Sequence, residues 1–381
     1  MKILYTNFHV SYGGGHTTYI AILAESLRAH HEIWVAVPPT SKLYLLCQSI
    51  PNINVVAMPF PSKPREWRDI FSTRKRLRTM FEKERFDIVH VNGSPDHRLV
   101  MYAIFGLHGK RPRVVYTKHN SLPVGKHFGS QLRVKYATDH VIAVSRHTSR
   151  LLDGTPYAKR EVSVIPNGVD VEHFHPFNDE ASQHARLRMV GPEHADKFIV
   201  GSVAGTADYK GWIDMVTAIA RLPVLVRETM HILIAGESPS SSQRQQVAQL
   251  GMSEHVTFAE NLLDVRPCIA AFDIGFVLSY AEAISFACRE MMAMGKPVIV
   301  ADCGGLPENV SDGEDGWIVP QRDPDAISSL LREITGKPET LRAMGESARR
   351  KSEVHFEKTL FVQETEAVYR RLTMSTESIS L

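Results

Sequence analysis

The stretch AEAISFACREMMAMGKPVIVADCGGLPE, Ala281–Glu308, decides the fold. The apolar run Ile274–Leu278 leads into it and reads as a buried strand. Phe286–Met294 reads as a helix, Gly295 stops it, and Pro297–Ala301 is a second apolar, β-branched run. Strand, loop, helix, strand is the repeating unit of a parallel α/β sheet. Two acids frame the turn. Glu282 lies in the loop and Glu290 in the helix, with seven residues between them. Over eight helical residues the rise is about 12 Å. Carboxylates that far apart can hold hydroxyls at two places on one extended ligand. They are too far apart to act as acid and base on one bond. The amides of Ile284, Ser285 and Phe286 open the helix, where unpaired N–H groups and the helix dipole suit a diphosphate. The plain alternative is a surface helix carrying two solvated glutamates.

The same alternation extends outward in both directions. Before it, apolar runs at Lys2–Phe8, His31–Pro38, Ile53–Met58, Phe86–Val91, Val114–Thr117 and Val141–Val144 are short and near-continuous, as buried parallel strands are. Ile20, Leu23, Ala24 and Leu27 recur at helical spacing after the first run. A second series begins at Phe198–Val203 and continues at His231–Ala235 and Val256–Phe258. Trp212, Met215, Val216, Ile219 and Ala220 form one face of a helix. The polar segment Val171–Lys197 reads as a linker between two sheets. The expected architecture is α/β, with two doubly wound, Rossmann-like domains, 1–172 and 173–355, facing across a cleft. A C-terminal helix and tail, 356–381, returns to the first domain, and the Ser/Thr-rich end is expected to fray. Ligands of such sheets bind at the carboxyl ends of strands.

Composition excludes other classes. The 381 residues are 43% hydrophobic and 23% charged, which is neither disordered nor fibrous. The longest uncharged apolar run, Leu99–Gly109, is too short to span a bilayer. Thr6, Asn7 and His9 break the N-terminal apolar run, so it reads as a strand and not an export signal. Cys47, Cys268, Cys288 and Cys303 form no C-x-x-C pair, and no histidine cluster has zinc spacing. The expectation is reduced thiols, no metal, and a cytoplasmic location. Charge is uneven: Met1–His175 holds 24 Lys+Arg against 13 Asp+Glu, and the remainder holds 20 against 29. A basic half suits a polyanion or an anionic membrane surface.

Glu282-x7-Glu290, followed by Ala293-x-Gly295-x-Pro297-Val298-Ile299, resembles the signature of the retaining nucleotide-sugar glycosyltransferases of family 4, which adopt the GT-B fold. Other segments agree with that family in order. Gly13–His16 (GGGH) matches its glycine-rich loop, and FDIVHVNG, Phe86–Gly93, resembles its D-[IV]-V-H-x-H region. TKHN places His119 at the family's active-site histidine. VIAVSRHTSRLL and VSVIPNGVDVEHFHP resemble the path out of the first domain. YKGWIDMVTAIARL carries Lys210 at the phosphate-binding lysine, and AGE and FAENLLDV, which includes Leu263, fit the base-binding loops. The resemblance runs from Lys2 to about Pro320.

What the resemblance implies is a transferase moving a sugar from a UDP- or GDP-type donor to an acceptor, a bacterial surface glycan or glycolipid such as a lipopolysaccharide core intermediate. No metal or other cofactor is implied. Lys210 and the amides at Ile284, Ser285 and Phe286 would receive the departing diphosphate. Glu290 would accept hydrogen bonds from the ribose diol, and Glu282 would hold sugar hydroxyls near the anomeric carbon. Gly14 and Gly15 would let the backbone approach the ligand. His119 would stand beside the transferred sugar and stabilise the oxocarbenium-like state. Taken alone, it reads equally as a hydrogen-bonded core histidine.

The chain departs from the family in two places. The arginine expected five residues before Lys210 is Gly205, with Arg146 or Arg266 as candidate substitutes. The loop after Glu282 reads Ala283-Ile284-Ser285 where the family has G-F-G, although Ser285 is a competent N-cap. The alternatives are a non-catalytic or weakly active nucleotide- or glycan-binding relative and an NAD-dependent oxidoreductase. The latter needs G-x-G-x-x-G, which SYGGGHTTY does not supply.

Ser62–Arg85 holds nine Lys/Arg against four acids, interleaved with Trp67, Ile70, Phe71, Leu77 and Phe81. It reads either as an interfacial helix on the inner face of the cytoplasmic membrane or as an amphipathic helix packed on the sheet. No nucleic-acid motif accompanies the charge.

Overall fold

The computed structural model describes residues 1–10 and 14–374. Gly13 of the glycine loop and the tail beyond 374 lie outside the described residues. The chain divides into two compact units, Met1–Gly168 joined by the stretch from Lys358, and Val169–Glu357.

The first unit is built on seven parallel strands: β1 (Lys2–Thr6), β2 (Glu32–Val37), β3 (Ile53–Ala57), β4 (Ile88–Val91), β5 (Arg113–Lys118), β6 (His140–Ala143) and β7 (Val162–Val164). Their order is β3-β2-β1-β4-β5-β6-β7. The order reverses between β1 and β4, which pair from Ile3↔Ile88 to Thr6↔Val91. Ile3, Leu4, Val35, Val89, Val115 and Ile142 are fully buried, as strands covered on both faces require. The helix Lys358–Met374 belongs to this unit. It buries Phe361, Val362, Thr365, Val368 and Tyr369. Tyr369 stands 2.5 Å from His90 Nδ1.

The second unit has six parallel strands: β8 (Phe198–Ser202), β9 (Met230–Gly236), β10 (Val256–Glu260), β11 (Ile274–Val277), β12 (Val298–Ala301) and β13 (Gly316–Val319). Their order is β10-β9-β8-β11-β12-β13, reversing between β8 and β11. The helix Trp212–Ala220 buries Trp212, Met215, Val216 and Ile219 on the face its spacing predicts. Both sheets are therefore doubly wound and of Rossmann-like type.

The polar stretch 171–197 is not a plain linker. It contains the helix Asp179–Val190, capped by Asn178, whose Oδ1 accepts from the Ala181 N–H at 2.8 Å. Only Ala185 and Val190 are buried, and both join the core of the second unit. So small an apolar face leaves little periodicity to read.

The basic stretch follows the packed alternative over most of its length. Its helix, Trp67–Glu84, buries Thr73, Leu77 and Phe81, spaced four residues apart along one face. Trp67 and Phe71 are not part of that packing and are 63% and 60% exposed.

Candidate functional site

In the second unit, two loops leave adjacent strands at the point where the order reverses. The loop after β8 carries Asp208–Lys210 as a single 3-10 turn, and the loop after β11 carries Glu282. Gly211 holds them together. Its φ is +66°, and a Cβ there would lie 2.0 Å from the Leu278 carbonyl oxygen. Only glycine allows that approach. The Tyr280 N–H donates to the Tyr209 carbonyl at 2.7 Å, which joins the loops through backbone. The result brings Lys210 Nζ to 2.9 Å from Glu282 Oε2, with 17% of each side chain exposed. The same carboxylate oxygen accepts from Ser279 Oγ at 3.3 Å. Sequence reasoning did not single out Ser279, which is fully buried behind the pair.

The helix after Glu282 runs Phe286–Ala293. Ser285 is its N-cap, and its Oγ accepts from the Cys288 N–H at 3.2 Å. One of the first-turn amides is thus satisfied internally, and those ahead of it have no partner within the helix. Ile284 and Ser285 are buried, and Phe286 is half-buried. Glu290 lies about one turn into the helix. Burial pushes its carboxyl up to about 7, with no hydrogen bond or charge acting to lower it. Its neighbour Arg289 turns the other way, donating from Nε to Asn309 Oδ1 at 2.8 Å beneath the ring of Phe356. Leu263 is fully exposed in the loop after β10.

Gly205 has a φ of +92° and open space around the position of a Cβ. Arg266 is engaged by Asp264, with Nε at 2.9 Å from Oδ1 and Nη2 at 2.8 Å from Oδ2. Arg146 belongs to the first unit, where it opens the short helix Arg146–Arg150.

In the first unit, Gly14 caps the helix Gly15–Leu27 with a φ of +118°, a conformation L side chains rarely adopt. His119 follows β5. Its Nε2 is 2.8 Å from Asn92 Oδ1, and its ring lies 4.2 Å from that of His16 and 4.5 Å, edge-on, from that of Tyr19. Burial, then the neighbouring His16, His90, His9 and Lys118, hold its pKa well below the ordinary histidine value. Burial likewise holds His16 near 3. Both rings are neutral at physiological pH, so neither contributes a cation to the cluster. Lys118 secures the loop behind His119, donating from Nζ to the carbonyls of Asn120 and Leu122 at 2.6 Å. Asn92 stands where the D-[IV]-V-H-x-H pattern has its second histidine, and the motif by itself gave it no role.

Among the described residues, no helix is long and apolar enough to cross a membrane.

Comparison with known proteins follows the same division. Residues 13–173 match the sequence pattern described as Glycosyltransferase Family 4, and 185–351 match that of Glycosyl transferases group 1. A D-inositol 3-phosphate glycosyltransferase of Corynebacterium efficiens is 32% identical over 201 residues, covering 49% of this chain and 46% of that protein. The chain thus spans about half the length of that curated relative. Anabaena HepE, solved in complex with UDP, superposes with a TM-score of 0.81 at 20% identity, over 97% of this chain and 100% of that one. WaaG, a glycosyltransferase involved in lipopolysaccharide biosynthesis, superposes with a TM-score of 0.73 at 14% identity, over 96% and 99%. At those identities the superpositions establish the two-sheet GT-B fold.

Proposed function

The chain belongs to the family 4 glycosyltransferases, and from that premise we propose that it moves a sugar from a UDP- or GDP-type donor to a glycan or glycolipid acceptor, with retention of anomeric configuration. The observation that carries the reading is the Lys210–Glu282 pair beside the Ser285-capped helix. A cation, a set of amides without partners in the helix and a carboxylate are what a sugar diphosphate needs. The cation and amides take the negative charge that develops on the leaving diphosphate. Glu282 takes sugar hydroxyls, and Glu290, one helical face further on, takes the ribose diol. Gly14, Gly15 and the loop bearing Leu263 are assigned to ligand approach and to the base. His119 is assigned to the transferred sugar as a neutral hydrogen-bonding group. No metal enters this scheme, since Lys210 and the amides supply the positive potential.

The UDP complex of HepE supports a nucleotide donor, and WaaG, involved in lipopolysaccharide biosynthesis, supports a lipopolysaccharide intermediate as acceptor. For an acceptor anchored in lipid, the exposed Trp67 and Phe71 on a basic helix supply contact with the inner face of the cytoplasmic membrane. The test is a screen of UDP- and GDP-sugars for release of nucleoside diphosphate, with the anomeric configuration of the product read by NMR. Release from one donor class with retention is expected. Absence of release from every donor, or an inverted product, overturns the reading.

A further inference from the structure

We infer that Asn92 is a positioning residue that fixes His119 in one neutral tautomer, with the proton on Nε2 and the lone pair of Nδ1 left for ligand. The inference rests on the assignment of His119 to the transferred sugar, and extends it to which atom acts and in what sense.

The side-chain amide of Asn92 is buried just past the end of β4. Its Nδ2 lies 3.0 Å from the Thr6 carbonyl oxygen and 3.3 Å from the His90 carbonyl oxygen. Both are acceptors only, so the NH2 end of the side chain must face them. Its backbone N–H donates to Asp96 Oδ2 at 2.8 Å, and the same oxygen accepts from Thr6 Oγ1 at 2.8 Å. The side chain therefore cannot flip without setting its carbonyl against two others. That fixes Oδ1 toward His119 Nε2, 2.8 Å away. An amide oxygen can only accept, so Nε2 must donate. A neutral imidazole carries one ring proton, and Nδ1 is then an acceptor.

The rest of the cluster holds the ring in plane. His16 lies tilted against one side and Tyr19 meets it edge-on. Tyr19 Oη is 3.2 Å from Thr117 Oγ1, which lies 2.5 Å from His90 Nε2. The chemical consequence is a statement about the ligand. The group that meets Nδ1 must bring its own proton, as a sugar hydroxyl does. A phosphate or carboxylate oxygen would meet a lone pair and be repelled. His119 in this state is neither a proton donor to the leaving group nor a cation under it.

The experiment uses full-length protein labelled with 15N-histidine, read by long-range proton–nitrogen correlation. His119, assigned by loss of its signals in His119→Gln, should show the pattern of a protonated Nε2 and a bare Nδ1, unchanged through neutral pH. A protonated Nδ1 or a cationic ring overturns the inference, whether or not a donor sugar has been found. Asn92→Ala should then abolish the tautomer preference and lower kcat about tenfold, the cost of one hydrogen bond of average-to-good strength. Affinity for free UDP or GDP should not change, because His119 is assigned to the sugar. Unchanged kcat, or nucleotide affinity falling in step with kcat, overturns the positioning role. If Asn92→Ala does not fold, the wild-type spectrum alone decides the tautomer. A correct tautomer in a protein that turns over no donor leaves Asn92 vindicated and sinks the sugar assignment of His119.

Discussion

Lys210 Nζ and Glu282 Oε2 are joined at 2.9 Å in the second unit, so the cation assigned to diphosphate is held by the carboxylate assigned to sugar. A donor must exchange that contact for two new ones, phosphate on Lys210 and hydroxyls on Glu282. A bare nucleoside diphosphate satisfies only the first and leaves Glu282 without its partner. Glu282→Gln should therefore tighten free UDP or GDP about fivefold, since a partly exposed pair is worth up to about 1 kcal/mol. The same change should lower turnover of the sugar donor. Calorimetry with the free nucleotide and a steady-state assay check the two halves. Weaker nucleotide binding in Glu282→Gln would show that the pair does not oppose the diphosphate.

Glu290 predicts a pH dependence of binding. Its carboxyl titrates near 7 in the folded protein against an ordinary 4.5. Accepting both ribose hydroxyls requires the carboxylate, so nucleotide affinity should rise with pH by up to about tenfold per unit below about 7 and level off above it. Glu290→Gln should flatten that profile and weaken binding about 10-fold or more at high pH, where a charged acceptor is lost. Stability runs the other way. The folded state holds the proton more tightly than the unfolded state, so this group's contribution falls as pH rises from about 4.5 to about 7. Binding and melting measured across that range would reveal both slopes.

Gly211 is the point where the two loops of the second unit touch. Gly211→Ala puts a methyl into the Leu278 carbonyl and strains a left-handed φ. A loss of at least about 2 kcal/mol is expected. Thermal melting should fall by several degrees, and nucleotide binding should weaken with it as Lys210 and Glu282 separate. Gly251→Ala is the control, with a similar φ of +67° but open space around it, and it should cost less.

The exposed end of the helix Trp67–Glu84 predicts lipid binding at the first unit. Trp67 fluorescence should shift to the blue with anionic vesicles and return with added salt. Trp34, Trp212 and Trp317 also emit, so Trp67→Phe must remove the shift. Arg65, Arg68 and Lys75 are exposed and leave the core untouched when reversed to Glu. That triple variant should release the protein from vesicles while hydrolysing soluble donor normally. A wild-type protein that ignores anionic vesicles at low salt would assign the basic helix to packing alone.

Much of this protein was legible from residue order. The short, near-continuous apolar runs identify parallel strands because a strand covered on both faces has no polar side to alternate. Ser285 announces a helix start, and Trp212, Met215, Val216 and Ile219 mark one face of the helix after Gly211. What could not be read there depends on residues far apart in sequence. The helix Asp179–Val190 was hidden in polar sequence because two buried side chains were enough to seat it. The basic helix was ambiguous because charge density is the same whether Leu77 and Phe81 face a core or a membrane. Only packing showed that they face the core while Trp67 and Phe71 do not. The protonation states of Glu290 and His119 were beyond sequence altogether, since desolvation belongs to a place in the fold and not to a residue type. Asn92 makes the same point most sharply. Its place at the end of the Asp87–Asn92 motif does not say which way its amide points, and it acquires a direction only because Thr6 and His90 turn their carbonyls toward one end of that amide, leaving the other for His119.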